Sequence, residues 1–264
     1  MNARTPWIRP SIAVCAIVAF LTITPPAAAE VVTLNYQGAT TNPGNPTVQV
    51  TLNSTTFSNL PVGPFYWQQN SIPPNANFPP PIATFCIEIA TNQPLPSVGT
   101  NTTFSVVRPQ DAPTIGNNSA KVAALYELYG RYYDTAWENK TTFTGSTDSV
   151  AFQIAIWELI YDGASSPSLS SGNFQASGLG TITTVAQNML NSLNGDTSYF
   201  NNRFAGYELV ALIAPSIDGK STDQIQDQLI LRPIPAPPAA LLASFGVLAL
   251  LGRARWLRRT TAAA

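Results

Sequence analysis

From Val150 to Tyr161 the chain reads Val-Ala-Phe-Gln-Ile-Ala-Ile-Trp-Glu-Leu-Ile-Tyr, an apolar run broken only by Gln153 and Glu158. Ser149 to Asp162 has the length of a helix and is closed by Gly163, where helices favour glycine. A helix that is apolar on nearly every side has no face to offer water, so it belongs at the centre of the fold. The remaining elements must be built around it. Gln153 shares one side of this helix with Ile156, Trp157 and Ile160, because steps of three, four and seven return to the same face. A buried primary amide there needs hydrogen-bond partners, at a cost of roughly 2–7 kcal/mol if it finds none.

On either side of this helix the pattern is that of sheet. Val31 to Tyr36 and Thr47 to Leu52 alternate apolar and polar residues between Asn/Gly/Pro clusters. Thr84 to Ile89, Phe104 to Val107, Tyr207 to Ile213 and Gln228 to Leu231 also read as strands. Val122, Leu125, Tyr126, Tyr129, Tyr132, Tyr133 and Trp137 recur at helical spacing behind the capping segment Asn117-Asn118-Ser119. Ile182, Val185, Met189 and Leu193 mark a third helix that ends near Asn194-Gly195. The expected fold is α+β: a β-sandwich or barrel from the outer portions, with a helical insertion at about 118–195.

The two ends of the chain read as targeting segments. Arg4 and Arg9 precede an apolar run from Ile12 to Ile23, followed by Ala27-Ala28-Ala29, the order of a secretory signal peptide over residues 1–29. At the other end, Pro233 to Pro238 leads into an uncharged run from Ala239 to Leu251 and then Arg253, Arg255, Arg258 and Arg259. An apolar span followed by arginines favours a membrane-spanning tail with a cytoplasmic terminus. Proline cluster, apolar helix and arginine-rich end together resemble the PEP-CTERM sorting tail of exported proteins in Gram-negative bacteria, here over 233–264. In the sorting motif Pro235-Ala236-Pro237 an alanine stands where the family usually has glutamate. The resemblance implies export by the Sec machinery, a transient membrane anchor, cleavage by an exosortase and a final place at the cell surface or outside it.

Between these ends, residues 30–232 can bury a core of their own. Of the 13 Lys and Arg in the chain only seven lie there, against all 14 Asp and Glu, so the region is acidic. No basic patch is present to hold a phosphate backbone, which argues against nucleic acid as a partner. The chain has no histidine. Ser-His-Asp and Cys-His catalysis and His-ligated metal sites are therefore excluded, and no cofactor or metal is expected. Asp218, Asp223 and Asp227 lack the ligand spacing of a calcium loop and read as solvated carboxylates. Cys15 leaves with the signal, so Cys86 is the sole cysteine of the mature region and cannot form an internal disulfide.

Two segments each set one reactive group among apolar neighbours: Phe85-Cys86-Ile87 on a strand, and Phe152-Gln153-Ile154-Ala155-Ile156-Trp157 on the buried helix. Taken singly, Cys86 is most simply a small buried hydrophobe and Gln153 a satisfied core amide. Together they resemble the two motifs of the thioester domains of bacterial surface adhesins, an aromatic-Cys strand and an apolar-Gln helix ending in Trp. The resemblance implies a thioester between Cys86 and Gln153, with Phe85 and Trp157 as motif neighbours. Through that bond the protein would attach covalently to an amine of a surface protein or polysaccharide. This is adhesion with single-turnover chemistry rather than an enzyme.

Two other readings follow from the residues. A non-catalytic structural or carbohydrate-binding module would use Phe65-Tyr66-Trp67 as an exposed platform. A hydrolase would use the carboxylates Glu158 and Asp162, one helical turn apart. The Phe65 to Pro81 segment reads as a long loop. Since it leads directly into the cysteine strand, it is expected to screen Cys86 from solvent. Asn53-Ser54-Thr55, Asn101-Thr102-Thr103, Asn117-Asn118-Ser119 and Asn139-Lys140-Thr141 fit the glycosylation triplet and are expected in surface loops.

Overall fold

The computed structural model describes residues 30–39, 48–70, 75, 77–80, 82–89, 96–143, 145–176, 178–215 and 225–234. The signal segment, Pro235-Ala236-Pro237, the apolar tail, Asp218 and Asp223 lie outside these residues. Six strands close an antiparallel barrel: β1 (Val31–Ala39), β4 (Phe65–Gln69), β5 (Ile82–Cys86), β9 (Gln228–Pro233), β8 (Tyr207–Ile213) and β6 (Asn101–Val107), in that order around the wall. Of the two sheet architectures expected, the barrel is the one formed. A second sheet has the order β3 (Thr55–Leu60), β2 (Val48–Leu52) and β7 (Phe174–Gln175). Between β6 and β8 the described residues form four α-helices: α1 (Ser119–Tyr132), α2 (Thr147–Tyr161), α3 (Thr181–Asn191) and α4 (Ser198–Arg203). No helix among the described residues is long and apolar enough to cross a membrane.

The central helix is where its composition requires it. Every residue of α2 from Ser149 to Ile160 is buried. The helix starts two residues earlier than the apolar pattern suggests, because Ser146 and Ser149 form a reciprocal cap. Ser146 Oγ accepts from Ser149 N–H at 3.1 Å, and Ser149 Oγ accepts from Ser146 N–H at 3.3 Å. Gly163 follows at φ +89°, a conformation that disfavours a side chain. α2 packs against α1, α3, β7 and the end of β5.

Several sequence expectations are revised. The spacing from Val122 to Trp137 is not one helix: α1 ends at Tyr132, and Thr135–Glu138 is a separate 3-10 turn. Asp134 causes the break, its side chain accepting from Ala136 N–H at 2.9 Å and starting a new cap. The helical region continues to Arg203 and contains β7, which pairs with β2 and ties the insertion to the second sheet. Phe65-Tyr66-Trp67 is not in a loop but in β4, with the three residues only 2–3% exposed. Asn101-Thr102-Thr103 lies in β6 with Thr102 buried, whereas the other three triplets are exposed.

The barrel interior is aromatic. Tyr36 and Trp67 sit with ring centroids 5.0 Å apart, and Trp67 meets Phe104 edge-on at 5.2 Å. On the outer side of β5, Phe85 joins a second cluster with Phe152, Tyr133 and Trp137, at 4.9, 6.2 and 5.8 Å. Successive residues of a strand point to opposite faces. Phe85 therefore holds the helical layer, while Cys86 turns toward the barrel interior.

Candidate functional site

Cys86 is the last residue of β5, at an end where the barrel wall is incomplete. β4 begins at Phe65, opposite Thr84, so β5 continues past the start of its neighbour. The segment before β4, Pro61-Val62-Gly63-Pro64, contains two prolines that cannot donate to a ladder. The backbone N–H and C=O of one strand residue point toward the same neighbour. On the β9 side the next bond is Ile87 N–H to Asp227 O at 2.9 Å, so the Cys86 pair faces the missing strand.

Gln153 fills that place. Its Oε1 accepts from Cys86 N–H at 2.9 Å and its Nε2 donates to Cys86 O at 2.7 Å. The side-chain amide behaves as a peptide group added to the sheet edge. Both Cys86 and Gln153 are 0% exposed, so neither main-chain group has water as an alternative partner. The register is set one residue earlier, where the Phe85 and Phe152 rings meet at 4.9 Å and align strand and helix. Burying each ring contributes roughly 1.5–3 kcal/mol, and the two amide bonds remove the desolvation cost of Gln153.

The sulfur has its own partners. Sγ lies 2.7 Å from Gln226 Oε1, to which the thiol proton points, and receives a hydrogen bond from Gln228 Nε2 at 3.2 Å. Burial pushes the Cys86 thiol well above its usual range, the Gln228 hydrogen bond opposes this, and the charges of Glu88 and Asp227 add to it. The thiol is neutral at pH 7, and such buried thiols are inert to ordinary oxidants. Asp227 is pushed up to about 7 by burial and by the Glu88 charge, against a hydrogen bond from Ala214 N–H. At 6% exposure Asp227 is buried rather than a solvated carboxylate.

Of the two motif neighbours, Phe85 fixes the register, and Trp157 packs against Phe174 at 6.3 Å as part of the core. Glu158 is buried, with Oε1 accepting from Ser168 N–H at 2.6 Å and Oε2 unpaired. Asp162 receives the N–H groups of Asn173 and Phe174 at 2.8 and 2.9 Å. Each carboxylate is engaged by backbone rather than set across an open cleft as a glycosidase pair would be. Among the described residues no cluster of His, Cys, Asp or Glu could hold a metal ion.

The expected screen over Cys86 is not the one found. β4 runs antiparallel to β5, so their connection must lie at the Ile82 end, away from Cys86. Phe78, Pro79 and Pro80 border a small cavity of about 110 Å³ there, with Ile82, Tyr207 and Arg232. Among the described residues, the side chains that hydrogen-bond Cys86 are those of Gln153, Gln226 and Gln228. The last two were missed as site residues, although Gln-x-Gln repeats every second position at the start of an otherwise apolar strand, a signal that both amides share one face.

Comparison with protein-family models, with curated proteins and with solved structures finds no match to this chain.

Proposed function

We propose that this protein is exported to the cell surface or extracellular matrix and attaches covalently to amine groups through a thioester between Cys86 and Gln153. The observation that carries the reading is the Gln153 carboxamide held on the main-chain N–H and C=O of Cys86 at 2.9 and 2.7 Å, with both residues fully buried. In forming the bond, Sγ joins Gln153 Cδ, the Cδ–Nε2 bond breaks, and the thiol proton leaves with the nitrogen as ammonia. Cys86 N–H already donates to Oε1, where negative charge gathers in the tetrahedral intermediate, the role of an oxyanion donor. A partner amine then attacks Cδ, releases the thiol and remains attached as an amide of Gln153.

The signal-like start and the Pro-Ala-Pro tail support export through the Sec machinery, exosortase processing and a transient membrane anchor. The partner class is an amine-bearing surface protein or polysaccharide. Incubating the mature domain with methylamine and locating the adduct by peptide mass spectrometry tests the reading. Methylamine on Gln153, absent in Cys86→Ala, is the expected result. No adduct on Gln153 in freshly isolated protein would remove it.

A second reading draws on the same pair: Gln153 as a permanent surrogate peptide in a non-catalytic structural module. The amide is already satisfied by Cys86, which favours this alternative. Its carbohydrate-binding form loses its platform, since Phe65, Tyr66 and Trp67 are buried.

A further inference from the structure

A chain of buried polar groups runs through the barrel interior and ends on the sulfur of Cys86. Trp67 Nε1 lies 2.9 Å from Thr84 Oγ1, and an indole N–H can only donate, so the Thr84 hydroxyl accepts there. Its own proton then points to Gln228 Oε1 at 3.0 Å. The other half of the Gln228 amide is fixed independently. Nε2 is 2.9 Å from the carbonyl oxygen of Gln226, which can only accept, and 3.2 Å from Cys86 Sγ. Cys86 and Gln228 are opposite each other in the β5–β9 pairing, so strand register puts this donor beside the sulfur. Trp67, Thr84 and Gln228 are at most 3% exposed.

We infer that Gln228 is a catalytic residue of the thioester chemistry, its Nε2–H holding the electron pair of Cys86 Sγ as the carbon–sulfur bond forms and breaks, with Thr84 and Trp67 as positioning residues that aim it. This inference rests on the thioester reading above. When an amine attacks, its nitrogen bonds to Gln153 Cδ, the Cδ–Sγ bond breaks, and the electron pair goes to Sγ. The proton lost by the amine ends on the sulfur and restores the thiol. Formation of the thioester passes through the same sulfur, with the thiol proton leaving in ammonia. In both directions charge develops on sulfur in a site hostile to it. Among the described residues, the ionisable groups around the thiol are Glu88 beyond β5, Asp227 before β9, Tyr36 on β1 and Tyr161 on α2, and none of these is a cation. The amide N–H of Gln228 is the compensation supplied on the sulfur itself: Nε2 lies 3.2 Å from Sγ against 3.6 Å for Oε1, and the relay from Trp67 keeps the nitrogen the nearer of the two.

The test uses the mature domain as wild type and as Gln228→Met, Gln228→Glu, Thr84→Val and Thr84→Ser. Intact mass gives the thioester fraction, methylamine uptake per thioester gives the rate, and thermal midpoints report folding. Gln228→Met should slow uptake by roughly 10- to 100-fold, the worth of one hydrogen bond to a developing charge. Gln228→Glu, which puts a carboxylate on the sulfur, should slow it further. Thr84→Val should lose part of the rate and Thr84→Ser, which keeps the hydroxyl, should retain it, a contrast that carries the test if the Gln228 variants do not fold. A folded Gln228→Met domain that forms no thioester supports the same role in the first step. Wild-type uptake rates in both Gln228 variants overturn the inference and leave the thioester intact. A wild-type domain that takes up no methylamine and keeps its full sequence mass overturns both.

Discussion

Gln153 completes the sheet edge at Cys86: a side-chain amide on α2 takes both main-chain hydrogen bonds of a residue on β5 that the neighbouring strand leaves open. The same placement sets a carboxamide against a residue bearing a thiol, both of them 0% exposed. The structural role and the proposed chemical one thus fall on one side chain, and they can be separated by substitution.

Gln153→Ala and Cys86→Ala both abolish any thioester, so the difference in their stabilities reports chiefly the two hydrogen bonds. Gln153→Ala leaves a buried N–H and a buried C=O unpaired, at a cost of roughly 2–5 kcal/mol. Cys86→Ala keeps both bonds and loses only the sulfur, on the order of 1 kcal/mol. Urea denaturation should place Gln153→Ala well below Cys86→Ala. Equal midpoints would mean that the sheet edge is satisfied in another way.

The folded state should lose stability as pH rises through neutrality. Asp227 and Glu158 are both pushed up to about 7, in each case chiefly by burial. An unfolded carboxylate titrates near about 4. Since the folded pKa is the higher one, the folded state binds these protons more tightly. Their stabilising contribution is complete below about pH 4 and is lost as pH rises toward and through 7. Urea midpoints measured from pH 4 to pH 8 should decline, and Asp227→Asn with Glu158→Gln should flatten the curve. A midpoint that climbs over this range would contradict the assignment.

Glu127 anchors the turn between α3 and α4. It is 0% exposed, with Oε2 accepting from the N–H groups of Asn194, Gly195 and Asp196 at 2.8, 2.6 and 3.1 Å and Oε1 paired with Arg131 at 2.7 Å. Glu127→Ala should cost roughly 3–5 kcal/mol, because it strands three donors and a cation together. Glu127→Gln, which keeps an acceptor, should cost less. Guanidinium denaturation of both variants checks the order.

The elements that carry their own periodicity were legible in the sequence. Tyr207 to Ile213 is a strand with the expected bounds, and Asn118 caps α1 by accepting from the N–H groups of Ala120 and Lys121. The all-apolar run around Gln153 announces a central helix. β4 was hidden because Phe65-Tyr66-Trp67 is buried on both faces and sits between prolines, so it shows no alternation. Once β4 is a strand, the following loop is carried to the far end of β5 from Cys86. β3 was marked only by a two-residue turn, Asn53-Ser54, with both residues at positive φ. Within the site, Cys86 and Gln153 stood out as lone polar groups in apolar segments. Gln226 and Gln228 did not, since their part depends on the register of β9 against β5, which no local pattern encodes.

The central claim is most directly tested by the intact mass of the mature domain, purified without reductant or added amines. The account predicts a mass one ammonia below that of the sequence, restored to the sequence mass plus methylamine less ammonia after methylamine treatment, with neither the deficit nor the adduct in Cys86→Ala. A freshly isolated wild-type domain at its full sequence mass, with Cys86 free to react with a thiol reagent after denaturation, would contradict it.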